Sequence, residues 1–304
     1  MASLKPYYRT KLGEAYLGDS LRFMRTLDAE HVNLVMTSPP FALQRKKDYG
    51  NVPPEEYTQW FLPFAFEIKR VLRNDGSLVV DLGGSWNKGH PTKSLYQWRL
   101  LIDLCDVVGF NLAQEFYWFN PAKLPTPAEW VAVRRIRAKD AVNTILWLSK
   151  TPNPKADNRR ILQPYSQSML DLLEKGYQRG QRPSGHDISD KFQKDNAGSI
   201  PPNFISAPNT ESNSRYLRAC KAARISPHPA RFPSTIPDLF IRFLTQEGDL
   251  VLDPFAGSNV TGEVAQRLQR NWIACEIQET YLAGSKFRFP ELPETRKLLL
   301  ENKL

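Results

Sequence analysis

Cysteine is scarce and scattered in this 304-residue chain. Cys105, Cys220 and Cys275 form no CxxC pair, so neither a disulfide framework nor a zinc site is indicated, no metal is implied, and a reducing cytoplasm is the expected compartment. Long apolar runs are missing too. No stretch reaches the roughly 18 residues a membrane span needs, and Met1 to Lys11 lacks the apolar core of a secretory leader. The expectation is a soluble, intracellular protein with no membrane partner. Internal repeats are absent.

Acidic residues thin out in one region. The formal charge is +9, and residues 134 to 224 carry 17 Lys and Arg against 8 Asp and Glu, whereas the remainder carries 24 of each. Cations gathered in this way suit a polyanion, because Lys and Arg that neutralise phosphates release condensed counterions; a solvated basic surface with no partner is the other reading. Arg134, Arg135 and Arg137 are the candidate phosphate contacts. Val133 and Ile136 beside them look core-facing, which leaves open a role in packing or internal ion pairs.

Short apolar runs at Glu14 to Leu17, Val32 to Met36, Ser77 to Leu82, Glu115 to Phe119, Thr144 to Leu148, Asp249 to Asp253 and Trp272 to Glu276 read as strands. Helical spacing appears between them, most clearly at Tyr57, Trp60, Phe61, Phe64, Ile68 and Leu72. Asp75-Gly76 reads as a turn. The alternation predicts an α/β fold with a mostly parallel sheet. Residues 151 to 227 lose this rhythm in a Pro-, Ser- and Asn-rich stretch. The predicted organisation is therefore one elaborated domain: a first part over 1–150, an inserted basic lobe over 151–227, and a last part over 228–304.

Two loops that follow strands carry the chemistry. In Thr37-Ser38-Pro39-Pro40-Phe41 the prolines fix the backbone and remove two amide donors, which leaves carbonyls and a Ser hydroxyl as acceptors for an amino group. Phe41 beside them could stack on a base taken out of a helix. An ordinary Pro-rich turn is the plain alternative. Arg45-Lys46-Lys47 just downstream reads as a phosphate contact or as a solvated loop. In Asp253-Pro254-Phe255-Ala256-Gly257-Ser258 an acidic strand end precedes a glycine and a helix start, as an adenosine cofactor requires. Glu276 ends the next strand about 23 residues later, near the spacing at which a carboxylate reaches ribose hydroxyls. A tight turn before any helix would look the same, although no Lys follows the glycine to suggest a P-loop.

The two loops, in this order, resemble the permuted, β-type amino-methyltransferases of DNA, and within them the N4-cytosine branch. The resemblance runs from Gly18-Asp19 to Glu276, nearly the whole chain. It implies a doubly wound, mixed seven-stranded sheet, circularly permuted, with a target-recognition lobe, and transfer of a methyl group from S-adenosyl-L-methionine to the exocyclic amine of a base flipped out of double-stranded DNA. A cognate restriction endonuclease would be a functional partner. By the same resemblance Asp19 would accept from the cofactor's adenine amine, Glu276 would hold the ribose, and Asp253, Phe255, Gly257 and Ser258 would form the methionine and ribose cradle. His228 to Pro233 resembles the segment that closes over the cofactor.

Lys123-Leu124-Pro125, Arg182 to His186 and Gly198 to Asn203 look like stretches of N4-cytosine enzymes, though each also fits loop-forming Pro and Gly chemistry. On their own, His186 and His228 read as structural histidines. At the target amine, the Ser38 hydroxyl and the Pro39 carbonyl are the expected acceptors, with Pro40 fixing the turn and Phe41 stacking. Asp81, at a strand end, would orient Ser38 or take up the proton, or else cap a turn. An adenine-N6 or RNA enzyme of the same fold would be favoured by Asp or Asn in place of Ser38. A catalytically silent DNA-binding protein would be favoured by a broken cofactor loop.

Overall fold

Val32–Thr37 packs four large apolar side chains into six residues and is buried at every position except Asn33, as a strand flanked on both sides and both faces must be. The computed structural model describes residues 5–42, 50–176, 194–209 and 214–301. In chain order it contains β1 (Tyr8–Arg9), β2 (Gly13–Leu17), α1 (Ser20–Met24), β3 (Val32–Thr37), α2 (Tyr57–Val71), β4 (Leu72–Leu82), α3 (Tyr96–Asp106), β5 (Asn111–Phe119) and β6 (Val142–Ser149). There follow α4 (Gln167–Lys175), β7 (Phe204–Ser206), α5 (Arg215–Ala223), α6 (Thr235–Leu244), β8 (Leu250–Asp253), α7 (Val260–Arg267), β9 (Asn271–Glu276), α8 (Glu279–Ser285) and α9 (Pro293–Leu300). Among the described residues no helix is long and apolar enough to cross a membrane.

The strands form one sheet in the order β1-β2-β9-β8-β3-β4-β6-β5-β7. Pairing is parallel from β2 to β4 and antiparallel where β6 meets β4 and β5. Two more strands are present among the described residues than the seven expected. Both are edge strands, two and three residues long, too short for an alternating pattern to announce them.

Strand β3 lies between β4 and β8, with Leu34 opposite Val251 and Val35 opposite Leu252. From β3 the chain crosses through α2 to β4 on one side; from β8 it crosses through α7 to β9 on the other. The strand order therefore reverses between β3 and β8, and in such sheets the ligand crevice opens at the carboxyl ends of the strands at that point. The two chemistry-bearing loops leave the sheet there as neighbours.

Helix α2 buries Tyr57, Phe61, Ala65, Ile68 and Val71 along one stripe against a core that includes Leu78, Val80, Tyr96, Leu100 and Leu104. The turn expected at Asp75-Gly76 is instead a bulge inside β4, where the register against β3 jumps from Leu72 to Ser77. Its carbonyls stay paired, Asp75 accepting from the Lys155 N–H at 2.9 Å and Gly76 from the Lys150 N–H at 3.1 Å.

The chain divides into two compact units. One comprises the residues up to Ala156 together with those from Asn203 onward, and the other spans Asp157–Pro202. The separate unit is thus narrower than the 151–227 segment read from the sequence: β7 pairs with β5, and α5 buries Tyr216, Ala219 and Cys220 against Phe287 and Leu298 of the larger unit. In the smaller unit Asp157 and Ser166 cap a short 3-10 turn and α4, and Gln163 pairs with Ser199. Its charge is a correction as well. Residues 157–202 carry 7 Lys and Arg against 6 Asp and Glu, so the cationic excess lies on either side of this unit, in 134–156 and 203–224.

Gly13 faces Trp272, which is fully buried and stacked on Phe289 at 5.1 Å. A Cβ at Gly13 would come within 2.2 Å of the indole. Gly13→Ala should therefore destabilise the protein by about 1–3 kcal/mol through overpacking, read as a lower denaturation midpoint in urea; an unchanged midpoint would show that the indole relaxes freely.

Candidate active site

The loops after β3 and β8 wall a cavity of about 480 Å³, closed further by Gly18 to Ser20 after β2, by Glu276 to Gln278 after β9, and by Trp60 and Phe64 of α2. Phe255 sits within that aromatic wall, its ring 5.1 Å from Phe64 and 5.8 Å from Trp60. Asp19 lies exposed at the rim, where its side chain caps α1 by accepting from the Arg22 N–H at 2.8 Å.

Glu276 holds the glycine loop. One of its carboxylate oxygens accepts from the Gly257 N–H and the other from the Gln278 N–H, both at 2.8 Å. Burial raises its pKa above the usual carboxylate range, while these backbone donors pull it back. Gly257 has φ +52°, and a Cβ there would meet the His228 ring at 3.2 Å, so backbone conformation favours glycine and any larger residue would crowd the histidine. The His228 ring packs edge-on against Tyr281 at 4.5 Å, and burial, with the Arg231 and Arg288 charges, pushes its pKa down to about 4. At neutral pH it is an uncharged wall of the cavity. Ser258 also lines the cavity; its hydroxyl and carbonyl both accept from the Arg288 guanidinium.

Asp253 departs from its expected role. It is buried and does not line the cavity. One carboxylate oxygen accepts from the Thr37 hydroxyl at 2.7 Å and the Phe255 N–H at 3.1 Å, and the other accepts from the Thr261 hydroxyl at 2.7 Å. With its oxygens so engaged, Asp253 ties the two loops together rather than facing a ligand. Burial pushes its pKa up to about 6 against those three donors.

At the other end of the cavity the Ser38 hydroxyl donates to Asp81 at 3.0 Å, and the Asn143 amide donates to the second Asp81 oxygen at 3.1 Å. Burial raises the Asp81 pKa to about 6, opposed by these two donors and the Lys123 charge. Phe41 lies on the backbone of Gly83, where a Cβ would approach its ring within 2.3 Å. Gly83 is itself held by the Tyr96 hydroxyl, which donates to its carbonyl. Ser38, Pro39, Pro40, Phe41 and Asp81 all line the same cavity as Asp19, His228, Phe255, Gly257, Ser258 and Glu276.

Sequence reasoning missed Asn143, Trp118, Asn120 and Asn209, which also line the cavity. A buried Asn in the otherwise apolar run of β6 was the available signal, since a buried amide needs partners. The basic candidates do not share the cavity. Arg134 and Arg135 are exposed outside it. Arg137 is corrected to an internal role: its guanidinium lies 4.7 Å from the Trp86 ring and 3.5 Å from Asp140, with its side chain only 17 % exposed. Val133 and Ile136 are 69 % and 54 % exposed rather than core-facing. Arg45, Lys46 and Lys47, like Arg182 to His186, lie outside the described residues.

A sequence profile of a family described as DNA methylase matches residues 32–287. The chain is 54 % identical over 288 residues to the Type II methyltransferase M.PvuII of Proteus hauseri, across 94 % of this chain and 86 % of that protein. The solved structure of the PvuII DNA methyltransferase (cytosine-N4-specific) matches with a TM-score of 0.78 at 46 % identity, covering 98 % of this chain and 94 % of that one. A DNA modification methylase homologue of Thermus thermophilus, solved in complex with S-adenosyl-L-methionine, shares the fold with a TM-score of 0.57 at 20 % identity, over 91 % of this chain and 92 % of that one.

Replacing Asp253 by Asn keeps the shape and turns one acceptor into a donor facing a donor. Asp253→Asn should cost about 1–3 kcal/mol for the buried hydroxyl or amide left unsatisfied, measured by urea denaturation without any ligand. Wild-type stability would show that the two loops hold together without this carboxylate.

Proposed function

The chain belongs to the DNA methylase family, and from that premise we propose that it methylates the exocyclic N4 of a cytosine in duplex DNA, as the modification enzyme of a type II restriction-modification system. The observation that carries this reading is the Ser38–Asp81 pair set in one cavity with Glu276 and the Gly257 loop. Similarity to the cytosine-N4-specific PvuII enzyme over nearly the whole chain supports the choice of base.

The residues present fit S-adenosyl-L-methionine. A cavity of about 480 Å³ is of ligand size, with carboxylates at the ends of β2 and β9, a glycine whose missing Cβ leaves room against His228, and an aromatic wall at Phe255, Trp60 and Phe64. Asp19 and Glu276 would hold the adenosine part; Phe255, Gly257 and Ser258 would line the remainder. When bound, the cofactor supplies an electrophilic methyl group on a sulfonium.

The target amine is a poor nucleophile because its lone pair is delocalised into the ring. Ser38 donates its own proton to Asp81 in a hydrogen bond, so its oxygen is left facing the cavity as an acceptor, and the Pro39 carbonyl offers a second. Acceptors fixed in advance favour the nitrogen as it becomes tetrahedral and its N–H groups more acidic. Asp81, with its pKa raised to about 6, is charged at neutral pH yet basic enough to take the departing proton through Ser38. Phe41, held by Gly83, stacks on the extruded ring. The 157–202 unit and the exposed Arg134 and Arg135 would engage the duplex; a cognate endonuclease of the same specificity would be the functional partner, in the cytoplasm.

Nucleoside mass spectrometry of plasmid DNA methylated by the purified protein should show N4-methylcytosine, and N6-methyladenine as the sole product would overturn the assignment. Ser38→Ala should lower kcat by about 10²-fold or more while leaving cofactor affinity within about twofold, in line with loss of one preorganised polar group. Turnover should rise with pH through about 6, as Asp81 passes from its protonated to its charged form, and Asp81→Asn should remove that limb together with most of the rate. A pH profile unaltered by the substitution would leave Asp81 as a structural partner of Ser38 only.

A further inference from the structure

The connection between β5 and β6 starts at the cavity and leaves it as a pinned loop. The Asn120 N–H donates to the Ala141 carbonyl at 2.8 Å, so the connection closes at its base. Four more hydrogen bonds fix its first turn. The Asn120 side chain accepts from the Ala122 N–H at 3.1 Å, the Lys123 N–H donates to the Asn120 carbonyl at 3.2 Å, and the Lys139 ammonium donates to the carbonyls of Pro121 and Lys123 at 3.4 and 3.1 Å. Pro125 then confines the backbone of Leu124 to extended conformations.

Lys123 lines the cavity; Leu124, the next residue, does not and is 75 % exposed. Scattered exposed leucines are ordinary. This one stands on a backbone held from both sides, one residue beyond the wall of a cavity whose proposed substrate is a base drawn from a duplex. The same connection carries Arg134 and Arg135, both exposed, charges that suit a phosphate backbone.

Extruding a base leaves a gap in the stack and an unpaired guanine opposite it. Proteins that unstack a duplex frequently insert an apolar side chain, leucine among them, between base steps, and the gap left by an extruded base would accept the same kind of side chain. Resting on the reading that this enzyme methylates an extruded cytosine, we propose that Leu124 is a positioning residue that enters the duplex and occupies the place the cytosine leaves. Lys123, facing the cavity beside it, keeps the wedge next to the path of the base. Leu124 acts only while the base has to be drawn from a pair; it makes no contact with the reacting atoms.

The test compares the wild type and Leu124→Ala on two duplexes carrying the recognition sequence, mapped first by sequencing plasmid DNA methylated by the protein, one with the target cytosine paired to guanine and one with an abasic site opposite it. On the paired duplex kcat/KM should fall about ten- to hundredfold, the scale set by the cost of unstacking one base step. On the abasic duplex the variant should match the wild type within about twofold, which also shows that it folds. An equal loss on both duplexes, or no loss on the paired one, would overturn the proposal. If the wild type methylates neither duplex, the cytosine reading fails first and this proposal falls with it.

Discussion

A buried carboxylate with three donors joins the two halves of the site. Asp253 accepts from Thr37, which immediately precedes Ser38, from the Phe255 amide of the glycine loop, and from Thr261 in the first turn of α7. The loop that would hold the target amine and the loop that would hold the methyl donor therefore hang from one anion. Methyl transfer depends on the close and aligned approach of two bound partners, and a shared anchor fixes that separation before either arrives.

Two carboxylates in this molecule reach about the same raised pKa by the same cause, burial, and differ in what surrounds them. Asp253 is engaged from within the protein and turned away from the cavity. Asp81 has two donors, Ser38 and Asn143, and borders the cavity. Environment, not residue type, would then divide the work between a fastener and the proposed proton acceptor.

That division bounds what was legible in the primary structure. The central strands and α2 could be read because each buries a continuous run or stripe, and both loops could be read because Pro and Gly restrict a backbone locally. The Asp253 partners could not: Thr37 is 216 residues away, and only the pairing of β3 with β8 makes them neighbours. The pattern around Val133 and Ile136 shows which positions share a face but not whether anything covers it, and here the face is exposed. Charge counting failed for a similar reason, since it averaged over a segment that the fold divides among the sheet connection, the small unit and α5. The edge strands β1 and β7 are too brief for any periodicity, and their pairing comes from neighbours already in place.

The parallel pairing of β2 with β9, Gly13 beside Trp272, sets an order of events during synthesis. At about 5–20 residues per second, the 216 residues between Thr37 and Asp253 take on the order of ten to forty seconds to appear. For most of that interval β3 has β4 available but not β8, and β2 has no parallel partner at all. Loop closure over such a separation is slow to nucleate, so the emerging chain carries a half-built sheet whose open edges can meet another chain. A late-truncated chain would therefore be an aggregation-prone fragment rather than a weak enzyme, since Glu276 reaches the glycine loop only once the last parallel strand has docked.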